Sequence, residues 1–314
     1  RIGYGCLVWA AGGDARKLSC GGHDLEGVHT IRTRADVDRV MMALPRVTNI
    51  AVVGGGYIGL EAASALRKLG KTGTVLEGQN RVLARVAGPT LSLFFENEHR
   101  AHGADIRLGE QVVRLEGDNG RISGVRLAGD NFLPADMVIA GIGIVPAVGP
   151  LVDAGAPGEN GVLVDEYCRT ALPNVYAIGD CALHINRFAG NLPIRLESVQ
   201  NATDMANVVA KAIVGTPEEY RSVPWFWSNQ YDIKLQTVGL SIGYDTELVR
   251  GDPGTRCFSV IYLREGAVIA LDCVNATRDY VQGKALVASR AVVDPDKLSD
   301  PDVPLKSLSL SHAE

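Results

Sequence analysis

The chain has 314 residues, 46% of them hydrophobic and 21% charged, with 31 basic side chains against 36 acidic ones for a formal charge of −5. That balance is one of a folded protein that can bury enough apolar surface to offset its ordering entropy, and its length suits about two domains. It excludes general nucleic-acid binding, which needs a basic footprint, and the longest apolar run, Met137 to Val148, is too short and too interrupted to span a bilayer.

The chain opens on Arg1 and continues as Leu7-Val8-Trp9, a strand already under way, which reads as a start inside a larger protein. Asn49 to Val53 is an apolar strand that runs into Gly54-Gly55-Gly56-Tyr57-Ile58-Gly59. Leu60 to Leu69 has helical periodicity and stops at Gly70, and a second strand, Thr74-Val75-Leu76, stops at Glu77. Thr90 to His102 is amphipathic and ends at Gly103. Ile106–Leu108, Val112–Leu115, Ile122–Leu127 and Met137–Ala140 are short runs split by Gly/Asp/Asn turns, read as an antiparallel meander beside a parallel sheet. Val162–Val164 and Val175–Ile178 are further strands, the second ending at Gly179-Asp180, and Val199 to Val214 reads as a helix. Beyond Pro224 come strands at 225–231, 233–238, 257–263 and 267–272 and a helix near 277–288. The Pro/Asp/Ser-rich tail from Asp294 is expected to be extended or mobile. Six cysteines at 6, 20, 168, 181, 257 and 273 form no CxxC pair, so no metal ligand set is expected, and reduced thiols in the cytoplasm are the default.

Strand, Gly54-x-Gly56-x-x-Gly59, helix, strand and terminal acid together form a dinucleotide-binding unit. The first glycine permits the tight turn, the second the approach of a pyrophosphate, and the third close helix–strand packing. The helix N-terminus offers N–H groups to the anion. Glu77, 23 residues after Gly54, would accept from a ribose diol and repel a 2′-phosphate, favouring NADH. Arg81 and Arg85, a few residues on, could instead hold that phosphate. Asp180 at the end of its strand can bind a sugar-like hydroxyl, although such residues more commonly serve as turn or cap residues.

Taken together, Leu7 to Gly13 with Arg16, Val52 to Glu61, Ala135 to Gly143, Ala177 to Cys181, Arg195 to Ala202 and Pro224-Trp225-Phe226-Trp227-Ser228-Asn229-Gln230-Tyr231 resemble the FAD-dependent NADH:ferredoxin reductases of bacterial oxygenase systems, the putidaredoxin reductase-like and biphenyl dioxygenase reductase-like group of the pyridine nucleotide-disulfide oxidoreductases. The resemblance implies an α/β fold with two Rossmann-like nucleotide-binding domains and a C-terminal α+β domain. It places an FAD-binding domain at 1–15 and 145–221, an NADH-binding domain at 16–144, and an interface domain with a mobile tail at 222–314. By the same resemblance Gly12, Arg16, Asp180, Val199 and Trp227 belong to FAD, while Gly54, Gly56, Ile58, Gly59, Glu61, Glu77 and Gly143 belong to NAD. Glu61 reaches the nicotinamide and Trp227 lies by the flavin, so these two are the candidate catalytic residues.

Without the resemblance, Glu61 reads as a favourable acid in a helix's first turn, and Trp225 and Trp227 as core. The family's N-terminal FAD phosphate-binding segment is not in this sequence, so exposed apolar faces are expected in the FAD domain. Ala11, Gly73, Ala147 and Asn229 stand where the family usually carries other residues. The implied reaction passes a hydride from NADH to FAD and then single electrons to an iron–sulfur ferredoxin, or a rubredoxin-type partner. A basic docking patch drawn from Arg187, Arg195, Arg250 and Arg278 is expected to meet that partner. The rival readings are an NADH-binding fragment without flavin and, further off, a disulfide reductase. The second would need a catalytic His near the C-terminus, where this chain has only His312. A signalling flavoprotein of the apoptosis-inducing-factor type is disfavoured by the Pro224–Tyr231 motif.

Overall fold

A computed structural model describes residues 3–308, so His312 lies outside the described residues. The chain divides into two compact units. One comprises Ala15–Ile144 and Ser228–Lys234; the other comprises Arg1–Asp14, Val145–Trp227 and Leu235–Glu314. Among the described residues no helix is long and apolar enough to cross a membrane.

The first unit is built on a five-stranded parallel sheet in the order Val28–Thr30, Met137–Ala140, Ile50–Val53, Gly73–Glu77, Asp105–Leu108. Ile50–Val53 and Met137–Ala140 are buried at every position, as strands covered on both faces must be. The helices Tyr57–Lys68 and Pro89–Ala101 follow the strands Ile50–Val53 and Gly73–Glu77. Three strands, Val112–Asp118, Arg121–Leu127 and Phe132–Pro134, form an antiparallel meander beside this sheet. The expected meander was therefore drawn too wide. Asp105–Leu108 and Met137–Ala140 belong to the parallel sheet, and Phe132–Pro134 supplies the meander's third strand.

The helix Arg34–Ala43, not foreseen from the sequence, starts at a capping box. Thr33 Oγ1 accepts from Asp36 N at 3.2 Å, and Asp36 Oδ2 accepts from Thr33 N at 2.7 Å.

In the second unit Leu7–Trp9 and Val175–Ala177 pair in parallel, Leu7 opposite Val175 and Trp9 opposite Ala177. The helix Val199–Ile213 turns Met205, Val208 and Val209 into the core that holds them. A five-stranded sheet runs in the order Trp225–Gln230, Ile233–Gly239, Ala267–Val274, Cys257–Arg264, Thr246–Asp252, with Ile233–Gly239 to Thr246–Asp252 paired antiparallel. The helix Thr277–Ser289 closes its core with Tyr280, Leu286 and Val287.

The tail is not extended as far as it is described. Pro295–Ser299 and Leu305–Leu308 are short helices that bury Leu298, Leu305 and Leu308 in that core. All six cysteines are unpaired, and Cys168, Cys181 and Cys273 are buried.

Candidate functional site

The nucleotide-binding features of the first unit meet at one edge of its sheet. From Ile50–Val53 the chain moves outward to Gly73–Glu77 and Asp105–Leu108, then returns to lay Met137–Ala140 on the other side of Ile50–Val53. Ligands of open α/β sheets bind outside the carboxyl ends of strands at such a reversal. The loops that leave the two strands there are Gly54–Gly59 and Gly141–Gly143. They touch closely: Gly141 N donates to Val53 O at 2.8 Å, and a side chain at Gly141 would sit 3.1 Å from Gly59 N.

Each glycine has a distinct reason to be there. Gly54 has φ 106°, and a Cβ on it would lie 2.5 Å from Gly141 O. Gly56 caps the helix Tyr57–Lys68 with no side-chain hydrogen bond, and a Cβ there would meet nothing within 4 Å. The helix N-terminus therefore opens on space that a phosphate can enter. Ile58 is 44% exposed beside it, and Gly143, with φ 93°, is also exposed.

Glu77 is wired to the loop it serves. Its Oε2 accepts from Gly55 N at 2.6 Å and its Oε1 from Gln79 N at 2.8 Å, which fixes both oxygens at the mouth of the turn. Arg81 is occupied internally, donating to Ala87 O and Ser92 Oγ at 2.7 Å each and to Ala84 O at 3.0 Å. It is thus not free to receive a 2′-phosphate. The glycine cradle and the fixed acceptor fit a dinucleotide.

Glu61 is not a first-turn acid. The helix begins at Tyr57 and has no acid in its first turn, so the dipole explanation loses its force. It is half-buried, and Ser228 Oγ donates to its Oε1 at 2.6 Å. Burial pushes its carboxyl above the usual range, and the Ser228 hydrogen bond opposes that rise.

In the second unit Gly12, Asp180 and Val199 come together. The parallel pair Leu7–Trp9 and Val175–Ala177 ends at Gly12 and at the turn Gly179–Cys181, both left-handed at glycine, with φ 62° at Gly12 and 72° at Gly179. A Cβ on Gly179 would meet Ala202 Cβ at 3.2 Å, so the turn lies against the first helical turn of Val199–Ile213. Val199 opens that helix and is 65% exposed. Asp180 is half-buried, and its carbonyl accepts from Arg195 Nη1 at 2.7 Å. An acid, a helix N-terminus and an exposed apolar side chain at one strand edge fit the hydroxyls and ring of FAD. Exposed apolar side chains elsewhere in this unit include Val8, Leu163, Ile185 and Leu192.

Arg16 belongs to the first unit, where its backbone N donates to Gly143 O at 2.9 Å and its Nη2 to Ile144 O at 3.1 Å. Trp227, 37% exposed, stands beside Trp225 with ring centres 5.6 Å apart. Trp225 itself packs on the C-terminal core.

Two of the arginines expected to dock a partner are not surface groups. Arg250 is 3% exposed and paired with Asp279 at 3.0 Å. The Arg195 side chain is 8% exposed and holds Asp180 O, Asn160 O and Glu197. A buried guanidinium with its donors occupied cannot meet an incoming protein. Arg187 and Arg278 are exposed.

The three buried cysteines do not suit thiol chemistry: burial pushes the Cys168 thiol up to about 12 and also raises Cys181 and Cys273. Ser228, His99 and Gln230 carry no local sign of a role. Ser228 lies 167 residues from Glu61 along the chain, and Gln230 lies 131 from His99.

The sequence profile of the pyridine nucleotide-disulphide oxidoreductases matches residues 1–206, and that of the reductase C-terminal domain matches 225–309. The ferredoxin reductase subunit of 5,5′-dehydrodivanillate O-demethylase from Sphingobium sp. (strain NBRC 103272 / SYK-6) is 62% identical over 310 residues, covering 98% of this chain and 75% of that protein. The ferredoxin reductase for the CYP199A2 system of Rhodopseudomonas palustris superposes with a TM-score of 0.95 at 36% identity, over 98% of this chain and 76% of that one. Putidaredoxin reductase, in its covalent complex with putidaredoxin, gives 0.93 at 38% identity, over 99% and 76%.

Proposed function

The chain belongs to the pyridine nucleotide-disulphide oxidoreductase family, and on that premise we propose that it is the FAD-dependent NADH:ferredoxin reductase of an oxygenase system. The observation that carries the nucleotide half of this reading is the glycine cradle with Glu77 bonded into it at 2.6 Å. The partner follows from the relatives, which are named as reductases of ferredoxins and, in one case, are bound to putidaredoxin.

The proposed domains are 1–15 with 145–221 for FAD, 16–144 for NADH, and 222–314 as the interface domain. The chemistry that bound FAD would supply is acceptance of a hydride from NADH and return of single electrons to an iron–sulfur ferredoxin. The residues supply binding, orientation and charge. Gly54, Gly56 and Gly59 leave room for the pyrophosphate, and Glu77 accepts from the adenosine ribose. Ile58 and Gly143 line the same edge, and Glu61 stands at the nicotinamide end. Gly12, Arg16, Asp180, Val199 and Trp227 would hold FAD. No proton has to be abstracted from carbon. With its cysteines unpaired, the enzyme is assigned to the cytoplasm, where thiols stay reduced.

Ferredoxin reduction with each nucleotide tests this reading. The wild type is expected to reduce an iron–sulfur ferredoxin faster with NADH than with NADPH. Glu77→Gln, which removes the charge facing the 2′-phosphate, is expected to lower that preference about tenfold or more. Failure to reduce ferredoxin with either nucleotide would overturn the assignment. An unchanged preference in the variant would remove Glu77 from the ribose.

A further inference from the structure

Inside the first unit a row of hydrogen bonds ends at Glu61. Tyr231 Oη lies 3.0 Å from His99 Nδ1, and His99 Nε2 lies 2.8 Å from Gln230 Oε1. Gln230 Nε2 donates to Ser228 Oγ at 3.1 Å, and Ser228 Oγ donates to Glu61 Oε1 at 2.6 Å. His99, Ser228 and Gln230 are fully buried. The segment that carries three of these residues is fastened on both sides. Tyr231 N donates to Ser64 Oγ at 2.6 Å, Lys68 Nζ donates to Tyr231 O at 2.7 Å, and the His102 ring stacks on Tyr231 with centres 3.8 Å apart.

The inventory of donors gives the row a direction. An ionised carboxylate only accepts, so the single Ser228 proton goes to Glu61. The Ser228 oxygen then accepts, and only the amide nitrogen of Gln230 can donate to it. That turns Gln230 Oε1 toward His99, whose Nε2 must carry the ring proton. Burial lowers the basicity of His99, leaving a bare Nδ1 for the Tyr231 hydroxyl, which burial pushes up to about 12 and so keeps protonated. Every proton in the row points toward Glu61. The Gln230 amide does not readily take a proton at one end and release one at the other, so the row orients groups and does not conduct protons.

We propose that Ser228, Gln230, His99 and Tyr231 are positioning residues for Glu61, a one-way hydrogen-bond chain that fixes the rotamer of its carboxylate and holds it as an ionised acceptor. The proposal deepens the reading of the nucleotide site and rests on it only for where Glu61 points. The charges that bear on the row are few. His102 bears on His99, Arg67 and Glu98 bear on Tyr231, and on Glu61 burial raises the carboxyl while the Ser228 hydrogen bond lowers it. Its ionisation therefore depends on the serine hydroxyl.

Nuclear magnetic resonance on protein with labelled histidine and glutamate carboxyl carbons tests this, with Glu61→Gln and a His99 variant assigning the signals. In the wild type, His99 is expected as the neutral Nε2–H tautomer at neutral pH. Ser228→Ala is expected to raise the pH midpoint of Glu61 by about one unit, as loss of a hydrogen bond to a charged group implies. Ser228→Thr, which keeps the hydroxyl, is expected to restore it. An Nδ1–H tautomer in the wild type, which needs no variant to fold, would overturn the proposal, as would a Glu61 midpoint unmoved by Ser228→Ala. NADH affinity separates the two readings. If the midpoint moves but Glu61→Gln binds NADH as the wild type does, the chain stands and Glu61 leaves the nucleotide.

Discussion

Replacing Gly59 with alanine is expected to weaken NADH binding by about a hundredfold or more, measured by titration of the purified protein. The added Cβ would lie 1.9 Å from Gly54 O and 3.1 Å from Gly54 C, with Val52 Cγ1 at 3.5 Å. These first two contacts are backbone, so no side-chain rotation relieves them. The helix Tyr57–Lys68 has to back away from the strand Ile50–Val53, and the N–H groups of its first turn move with it. A misplacement of about 1 Å costs on the order of a hundredfold where geometry carries the interaction. Gly56→Ala separates binding from folding. Its Cβ meets nothing within 4 Å, so that variant is expected to melt like the wild type and lose NADH affinity alone. Wild-type affinity in Gly59→Ala would contradict the placement of the pyrophosphate.

Arg250→Met is expected to lower the free energy of unfolding by about 3–5 kcal/mol, the range for breaking a buried ion pair by removing one partner. Its Nε holds Asp279 Oδ2 at 3.0 Å, a carboxylate that also accepts from Ser259 Oγ at 3.0 Å. Its Nη1 donates to Leu298 O at 3.2 Å and to Asp300 O, and its Nη2 to Pro301 O at 3.3 Å and Val303 O at 2.8 Å. Methionine fills much of the volume but leaves these acceptors in a buried site without their donor. Since native domains are stable by about 5–15 kcal/mol, such a loss is a large fraction of the whole. Urea unfolding gives the magnitude, and hydrogen exchange is expected to show residues 295–308 losing protection first. Arg250→Lys keeps the charge without the fork of donors and should fall between the two. A stability within about 1 kcal/mol of wild type in Arg250→Met would show that the guanidinium does not hold the C-terminal segment.

These two positions also mark what the sequence can and cannot convey. The cradle is legible because its signal is local: three glycines at fixed spacing, a helix and an acid follow a strand, with Glu77 only 23 residues after Gly54. The C-terminal segment is not. Its Pro, Asp and Ser content resembles a loose tail, and the residue that fastens it lies 48 to 53 positions upstream. Arg250 was read as a surface charge for the same reason, since no periodicity announces a buried ion pair. The Met137–Ala140 strand reads as part of the meander because the strands before it are antiparallel. Its four apolar residues without alternation were the overlooked mark of a covered parallel strand. Thr33 with Asp36 three residues on is a helix start readable in the sequence. The chain of groups behind Glu61 had no such mark, because Ser228 and Glu61 are 167 residues apart and meet only through the fold.

The central claim is that this chain moves electrons from NADH through a bound flavin to a ferredoxin, and an anaerobic spectral titration of the purified protein tests it most directly. The expected result is a yellow protein whose flavin absorption bleaches on addition of NADH and returns on addition of an oxidised iron–sulfur ferredoxin. A colourless protein that still binds NADH, or a bleached flavin that ferredoxin does not reoxidise, would contradict it.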